Sequence, residues 1–473
     1  MQSYSEFFIN GQWLTPASQA TIDVYNPANN KVCARVPAAN NEDVDKAIAA
    51  AYQAFPAWSG TKSGQRRQFI LAIADEMQNR FDDLVAAISD SMGCPRELTK
   101  DIQVQGSIDA FRAFADMTSF VDEYSSKDGV MECKSAVGVC VLINPWNYPL
   151  SQLVGKLGPA LATGSTVVVK PAEQTPLQDI ILAEIIEKVG LPAGVFNLIT
   201  GYGNQIGERL CSHPFVDMVS FTGSTAAGIK VAESAASTVK RVCQELGGKS
   251  PFIITPDADL EAAVRYGVED VMLNSGQTCC ALTRMLVPAS KYQQVVTLAK
   301  QVAEENTVGD PLDADSTMGP LSSKLQQQRV LQYIKSGIEE GATLVTGGTY
   351  IPEQLSEGAY VMPTIFADVT NDMKIAREEI FGPVLCIIAY QNIDQAISIA
   401  NDTDYGLSSS VYAGDSKSAL KIARQIRAGQ CYIQGSYFNT SAPFGGFKQS
   451  GNGREWGEEG LREFIEIQSI ITD

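Results

Sequence analysis

Between residues 136 and 221, four short apolar runs alternate with three helix-like runs. The apolar runs cover 136–143, 165–170, 195–199 and 217–221, and the segments between them, 151–161, 177–189 and 204–211, carry helical apolar spacing. Strands linked in this way lie parallel, because each crossover needs a helix to bring the chain back to the starting end of the sheet. The pattern excludes an all-β or all-α chain and predicts an open α/β sheet, whose ligand sits at the carboxyl ends of its strands. Past Glu245 the alternation restarts with 252–255, 260–273 and 284–287 and continues through 385–390, 407–412 and 430–433, predicting a second α/β domain. Upstream, 43–60, 63–92 and 97–122 read as helices. The tail, 463–470, alternates apolar and polar residues like a strand, and is expected to find its partner across a subunit interface.

With 473 residues the chain has room for about three domains. Its 45% hydrophobic and 19% charged residues suit a large soluble core. A net charge of −18 argues against nucleic acid or an anionic membrane as partner. The first 14 residues include Glu6 and no basic stretch, so they do not read as a signal peptide. Apolar runs such as 137–143 and 166–169 are far shorter than the ~20 residues that span a bilayer. Ten cysteines without framework spacing suggest free thiols in a reducing, cytoplasmic setting, with the sequons at Asn401 and Asn439 as chance matches.

The only histidine is His213, in a helix-to-strand turn, so a Cys-His or Ser-His hydrolase would have to be built there. No CxxC occurs, and adjacent Cys279 and Cys280 cannot make a four-ligand zinc cage; no metal site is expected. Cys279, in Gly276-Gln277-Thr278-Cys279-Cys280, would need a carboxylate base instead of imidazole, and an electrophile such as an aldehyde that needs no general acid. A buried cysteine is otherwise an inert small hydrophobe.

Four strand ends carry polar groups. Val219-Ser220-Phe221-Thr222-Gly223-Ser224 enters a helix through Gly223, as a pyrophosphate site would, although a ligand-free tight turn has the same pattern. Lys170 and Glu173 follow an apolar strand and can bracket a ribose or form a solvated pair. Asn147 in Pro145-Trp146-Asn147-Tyr148-Pro149 can donate to an oxyanion or simply sit in a packed turn. Leu246-Gly247-Gly248-Lys249-Ser250 mimics the end of a P-loop, but Cys243 stands at the first glycine position, which argues against ATP. Glu245 sits where the two α/β halves meet, and clefts form there.

Taken in order, these motifs, with Glu378-Glu379-Ile380-Phe381-Gly382-Pro383 and Pro443-Phe444-Gly445-Gly446, resemble the aldehyde dehydrogenase superfamily, and most closely its NAD-linked, CoA-independent members. The likeness runs from Asn10-Gly11-Gln12-Trp13 to Gly453-Arg454-Glu455. It implies a Rossmann-type NAD-binding domain (1–118 and 137–248), an α/β catalytic domain (249–449) and a small oligomerisation element (119–136 and 450–473) of a homodimer or homotetramer.

The resemblance makes Cys279 the nucleophile, Asn147 the oxyanion donor, Glu245 the general base, and Lys156 with Glu455 a proton relay. It assigns the cofactor side to Ile143, Pro145, Trp146, Lys170, Glu173, Gly223, Ser224, Leu246, Glu379 and Phe381, with NAD preferred and NADP weaker. The aldehyde pocket would be lined by Tyr148, Gln152, Gly155, Thr278, Cys280, Phe438 and Phe444. Gly155 stands where several relatives carry a bulky aromatic, which implies a wider passage. The alternatives are a CoA-acylating semialdehyde dehydrogenase, whose kind generally lacks the base at the Glu245 position, and a non-enzymatic protein on the same scaffold.

Overall fold

The computed structural model describes residues 2–471. Its first sheet has eight strands in the spatial order Gly451–Asn452, Arg241–Glu245, Met218–Thr222, Val139–Ile143, Thr166–Lys170, Phe196–Leu198, Phe7–Ile9 and Gln12–Leu14. The five from Arg241–Glu245 to Phe196–Leu198 are parallel, and antiparallel strands close both edges. Three of the inner strands are buried along their whole length, as near-continuous apolar runs with helices on both faces require. The edge hairpin turns at Asn10 and Gly11, both at positive φ (54° and 72°), the two-residue turn whose twist matches that of its strands.

Register carries the functional consequence. Lys170, Ile143, Phe221 and Gln244 lie side by side across four neighbouring strands, so these strands end flush. Motifs separated by up to 101 positions in sequence, Ile143 to Gln244, thereby meet at one edge.

The second sheet has seven strands in the order Thr343–Thr346, Thr364–Ala367, Val384–Tyr390, Arg284–Pro288, Pro251–Ile254, Ser410–Tyr412 and Tyr432–Ile433, and only its first pairing is antiparallel. A mixed α/β architecture with two mainly parallel sheets is what the alternation predicts. A three-stranded antiparallel sheet joins Ile465–Ile471, Val130–Ala136 and Tyr124–Lys127. The tail strand, expected to seek another subunit, therefore pairs along its whole length within its own chain. Among the described residues, no strand pairs with its outer edge or with that of Tyr124–Lys127.

The N-terminal helices depart from the simple periodic reading. The run 63–92 divides into Ser63–Asn79 and Phe81–Met92 at Arg80, which bonds Asp83 and Glu184 and involves no Gly or Pro. The run 97–122 holds a π-helical segment, Thr99–Gln105, before the α-helix Gly106–Asp116. The π turn brings Gln103 to a fully buried position, where its amide donates to the Asn147 carbonyl at 3.3 Å.

Candidate active site

The flush strand ends open into a cleft of about 630 Å³. Pro145, Trp146, Asn147, Gln152, Gly223, Ser224, Glu245, Leu246, Cys279, Glu379 and Phe381, all expected from sequence, line it. Gln326 and Arg329 line it as well, and no motif announced them. They come from the helix Lys324–Glu339 and hold the far wall, Gln326 donating to the Phe381 carbonyl at 2.8 Å and Arg329 to the Glu379 carbonyl at 3.1 Å.

Cys279 is placed by an over-determined loop. Asn274, Ser275 and Gly276 all have left-handed backbones (φ 52°, 57° and 73°). For the two non-glycines that conformation costs about 1–3 kcal/mol each. Hydrogen bonds offset it: Asn274 Nδ2 donates to the Asn147 carbonyl (3.0 Å), Ser275 Oγ to the Gly319 carbonyl (2.8 Å), and Gln277 Oε1 accepts from the Ser322 amide (2.8 Å). Asn147 Nδ2 donates one hydrogen to the Gln277 carbonyl at 2.9 Å, which leaves its second for an oxyanion.

Glu245, Glu455 and Lys156 are all buried. Lys156 Nζ lies 2.8 Å from Glu455 Oε1 and also donates to the Gln152 carbonyl. Neither carboxylate oxygen of Glu245 has a hydrogen-bond partner among the described residues. Gly445 makes room for that carboxylate, since a Cβ there would stand 2.6 Å from Glu245 Oε1. Burial and the charge of Glu455, in that order, push the Glu245 carboxyl well above its ordinary range. The hydrogen-bonded Cys280 side chain and burial push the Cys279 thiol up likewise. Both shifts favour the neutral forms of the two groups, and a raised carboxyl is what a base working near neutrality needs.

On the cofactor side, the helix Thr225–Ala235 begins at the cleft wall with Ser224 as its cap. Its remaining first-turn amides suit an anion such as a diphosphate. Trp146 and Phe381 meet edge to face at 5.2 Å. Glu379 accepts from the Gly248 amide at 3.0 Å, and burial pushes its carboxyl up to about 7. Lys170, Glu173 and Ile143 are not among the residues that line the cleft, although Ile143 and Lys170 stand side by side at neighbouring strand ends. Lys170 Nζ is 3.5 Å from Glu173, whose carboxylate also accepts from the Gly203 amide at a helix start.

The expected aldehyde pocket needs correction at Gly155. Its missing Cβ opens no passage, because the Trp456 indole fills the space: a Cβ there would meet Trp456 Cζ2 at 2.9 Å. Trp456 is 2% exposed, with Phe114 stacked at 6.0 Å and Phe438 edge-on at 5.8 Å. Phe438 in turn meets Phe444 at 5.7 Å, and the Tyr148 hydroxyl lies 2.7 Å from Thr278 Oγ1. Cys279 and Cys280 pack against the large core that contains Phe114, Phe444 and Trp456.

A sequence profile described as the aldehyde dehydrogenase family matches residues 13–470. A 3-succinoylsemialdehyde-pyridine dehydrogenase from a Pseudomonas species is 45% identical over 100% of this chain and 99% of its own length. A mutant of aldehyde dehydrogenase C from Pseudomonas syringae, solved with NAD+ and octanal, superposes with a TM-score of 0.97 at 44% identity, covering 99% of this chain and 96% of that one. An aldehyde dehydrogenase from Mycobacterium tuberculosis, solved with NAD+, gives 0.97 at 40% identity, covering 100% and 99%. The chain belongs to the aldehyde dehydrogenase family.

Proposed function

We propose that this protein oxidises an aldehyde to its carboxylic acid with NAD, through a covalent adduct on Cys279. The observation that carries the reading is the convergence, in one cleft, of a cysteine, a side-chain amide with a free N–H beside it, and a buried carboxyl without a partner. The cleft fits a dinucleotide: a helix start at Ser224 for the diphosphate, the Lys170–Glu173 pair for the adenosine ribose, and Glu379 with Phe381 for the other ribose. Bound NAD supplies a two-electron hydride acceptor.

Cys279 first loses its thiol proton to solvent, its Sγ then adds to the aldehyde carbon, and the Asn147 amide with the Cys279 backbone N–H receives the oxyanion; one such donor is worth about 3 kcal/mol. Collapse releases a hydride and leaves a thioester. Glu245, once deprotonated, takes a proton from water that releases the acid, and Glu455 and Lys156 lead that proton away. The base argues against a CoA-acylating enzyme, and the complete residue set argues against a silent scaffold. NADH production from NAD and propanal tests the reading; no NADH from any aldehyde overturns it.

An aldehyde with an apolar body suits Phe438, Phe444 and Tyr148, in keeping with the octanal and the pyridine semialdehyde that two relatives' names carry. No arginine stands among the expected pocket residues, which disfavours succinate semialdehyde. This reading assigns 1–118 and 137–248 to the NAD-binding domain, 249–449 to the catalytic domain, and 119–136 with 450–473 to the oligomerisation element, although Gly451–Asn452 pairs with the first sheet. The open edges of the three-stranded sheet, with Ile467 and Ile471 exposed, suit a homodimer or homotetramer. A fully active 50.9 kDa species in sedimentation counts against that. Among the described residues no helix is long and apolar enough to cross a membrane, and all ten cysteines are free, which fits a reducing cytoplasm.

A further inference from the structure

We infer that Trp456 sets the width of the aldehyde passage, as a specificity-determining residue whose indole stands over Gly155. This rests on the reading of the site as an NAD-linked, aldehyde-oxidising cleft. Tyr148, Gln152 and Gly155 recur at spacings of four and three and so share one face of the helix Pro149–Thr163 and its cap. Two of the three address the nucleophile loop: Tyr148 bonds Thr278, and Gln152 lines the cleft with Cys279. The third faces the Trp456 ring. Lys156, the residue after Gly155, and Glu455, the residue before Trp456, form the buried ion pair, so the two segments meet at adjacent positions.

The placement of the ring is constrained. Trp456 has φ 63° and ψ 161°, a backbone region that side-chain-bearing residues rarely adopt. Phe444 pairs with Glu455 through two backbone hydrogen bonds of 2.7 and 2.8 Å, which fixes the residue before it. From its position the indole joins half-exposed Phe438 to the core residue Phe114. A column of rings thus runs from the surface through Phe438 and Trp456 to Phe114, in the core against which Cys279 and Cys280 pack. A plain core residue would fill the same volume, but it would have no reason to complete the face that carries Tyr148 and Gln152.

The test compares kcat/KM for 2-naphthaldehyde, octanal and propanal in wild type, W456L, W456F and the reciprocal pair G155W and G155W/W456L, with thermal melting as a folding control. W456L is expected to raise the naphthaldehyde-to-propanal ratio about ten- to a hundredfold, the range that changes of pocket volume produce. W456F should hold the ratio nearer wild type. G155W alone should lose stability and activity, because its side chain meets the indole, and W456L in the same chain should recover both. If W456L does not fold, recovery of activity and stability in the double variant decides the matter in its place. An unchanged ratio in folded W456L, a uniform loss across all three aldehydes, or a double variant no better than G155W overturns the inference and leaves the reading of function standing. A wild type inactive on every aldehyde removes both.

Discussion

The two sides of the cleft are held in opposite ways. The loop that carries Cys279 is fastened at nearly every polar atom: Asn274, Ser275, Gln277 and Asn147 all bond backbone groups, at the cost of two left-handed non-glycine residues. The acid side, Glu245 with Glu455 and Lys156, is buried and under-partnered, and both Glu245 oxygens are free of hydrogen bonds among the described residues. The difference matches the tasks. A bond-forming atom has to be fixed, and geometry held by many bonds fixes it. A group that exchanges protons has to lie near the working pH, and burial without partners raises a carboxyl toward it.

The sharpest way to break this comparison is at the fastened side. Cys279→Ala should abolish aldehyde oxidation, a loss of at least about 10⁴-fold, while Cys280→Ala keeps most of it. The second variant should also acidify the Cys279 thiol, since Cys280 is the first cause of its raised pKa. Alkylation rate against pH measures that. A dead Cys280 variant with an active Cys279 variant would reverse the assignment.

The acid side predicts a different kind of failure. Glu245→Gln resembles the protonated form of the carboxyl, so the fold should persist and hydride release should still give a burst of NADH. Steady-state turnover, which needs the base, should fall by roughly 10²–10⁴-fold. Stopped-flow traces without a burst would show that Glu245 is needed to activate the thiol as well.

The same contrast decides what is legible in the sequence. Strand alternation and strand-end motifs point to the parallel sheet and most of the cleft, because a short apolar run and a glycine turn are local signals. Gln326 and Arg329 are invisible there, since they reach the cleft from a helix whose pattern is merely amphipathic. Trp456 goes unnoticed and Gly155 misleads for one reason: the space left by a glycine is filled by a residue 301 positions away, and only the fold brings the two together. The π turn that buries Gln103 is silent too, because one extra residue in a helix hardly disturbs its apolar spacing.

Glu173 is a carboxylate of the fastened kind and sharpens the comparison at the cofactor end. Bonded to the Gly203 amide and paired with Lys170, it would have to give up both contacts to swing from an incoming 2′-phosphate. Like charges about 4 Å apart at an effective dielectric near 20 repel by about 4 kcal/mol, less with screening and the attraction of Lys170. A preference for NAD over NADP of roughly ten- to a thousandfold in kcat/KM is expected, with Glu173→Gln relaxing it. Equal use of NADP by wild type, or no relaxation in the variant, would remove Glu173 from the cofactor site.

The smallest effect is a shift in pH dependence, and it tests whether the unpartnered side works through charge. Glu245 has its pKa raised, so its basic form appears only as pH climbs above the ordinary carboxylate value near 4.5, and turnover should rise along that limb. Glu455 contributes to the rise and Lys156 opposes it. Glu455→Gln removes a neighbouring negative charge and leaves Lys156 unpaired, and both changes favour ionised Glu245. The acid limb of kcat should move down by about one pH unit, equivalent to ~1.4 kcal/mol. Lys156→Met should move it up. Stability follows the same sign: the protonated buried acid is fully accommodated below the ordinary value, and stability is lost as pH rises through the raised one. Glu245→Gln should therefore melt higher than wild type on the alkaline side and match it on the acid side. Limbs that stay put in both relay variants, with turnover lowered equally at every pH, would mean that Glu455 and Lys156 hold the site's shape and carry no proton.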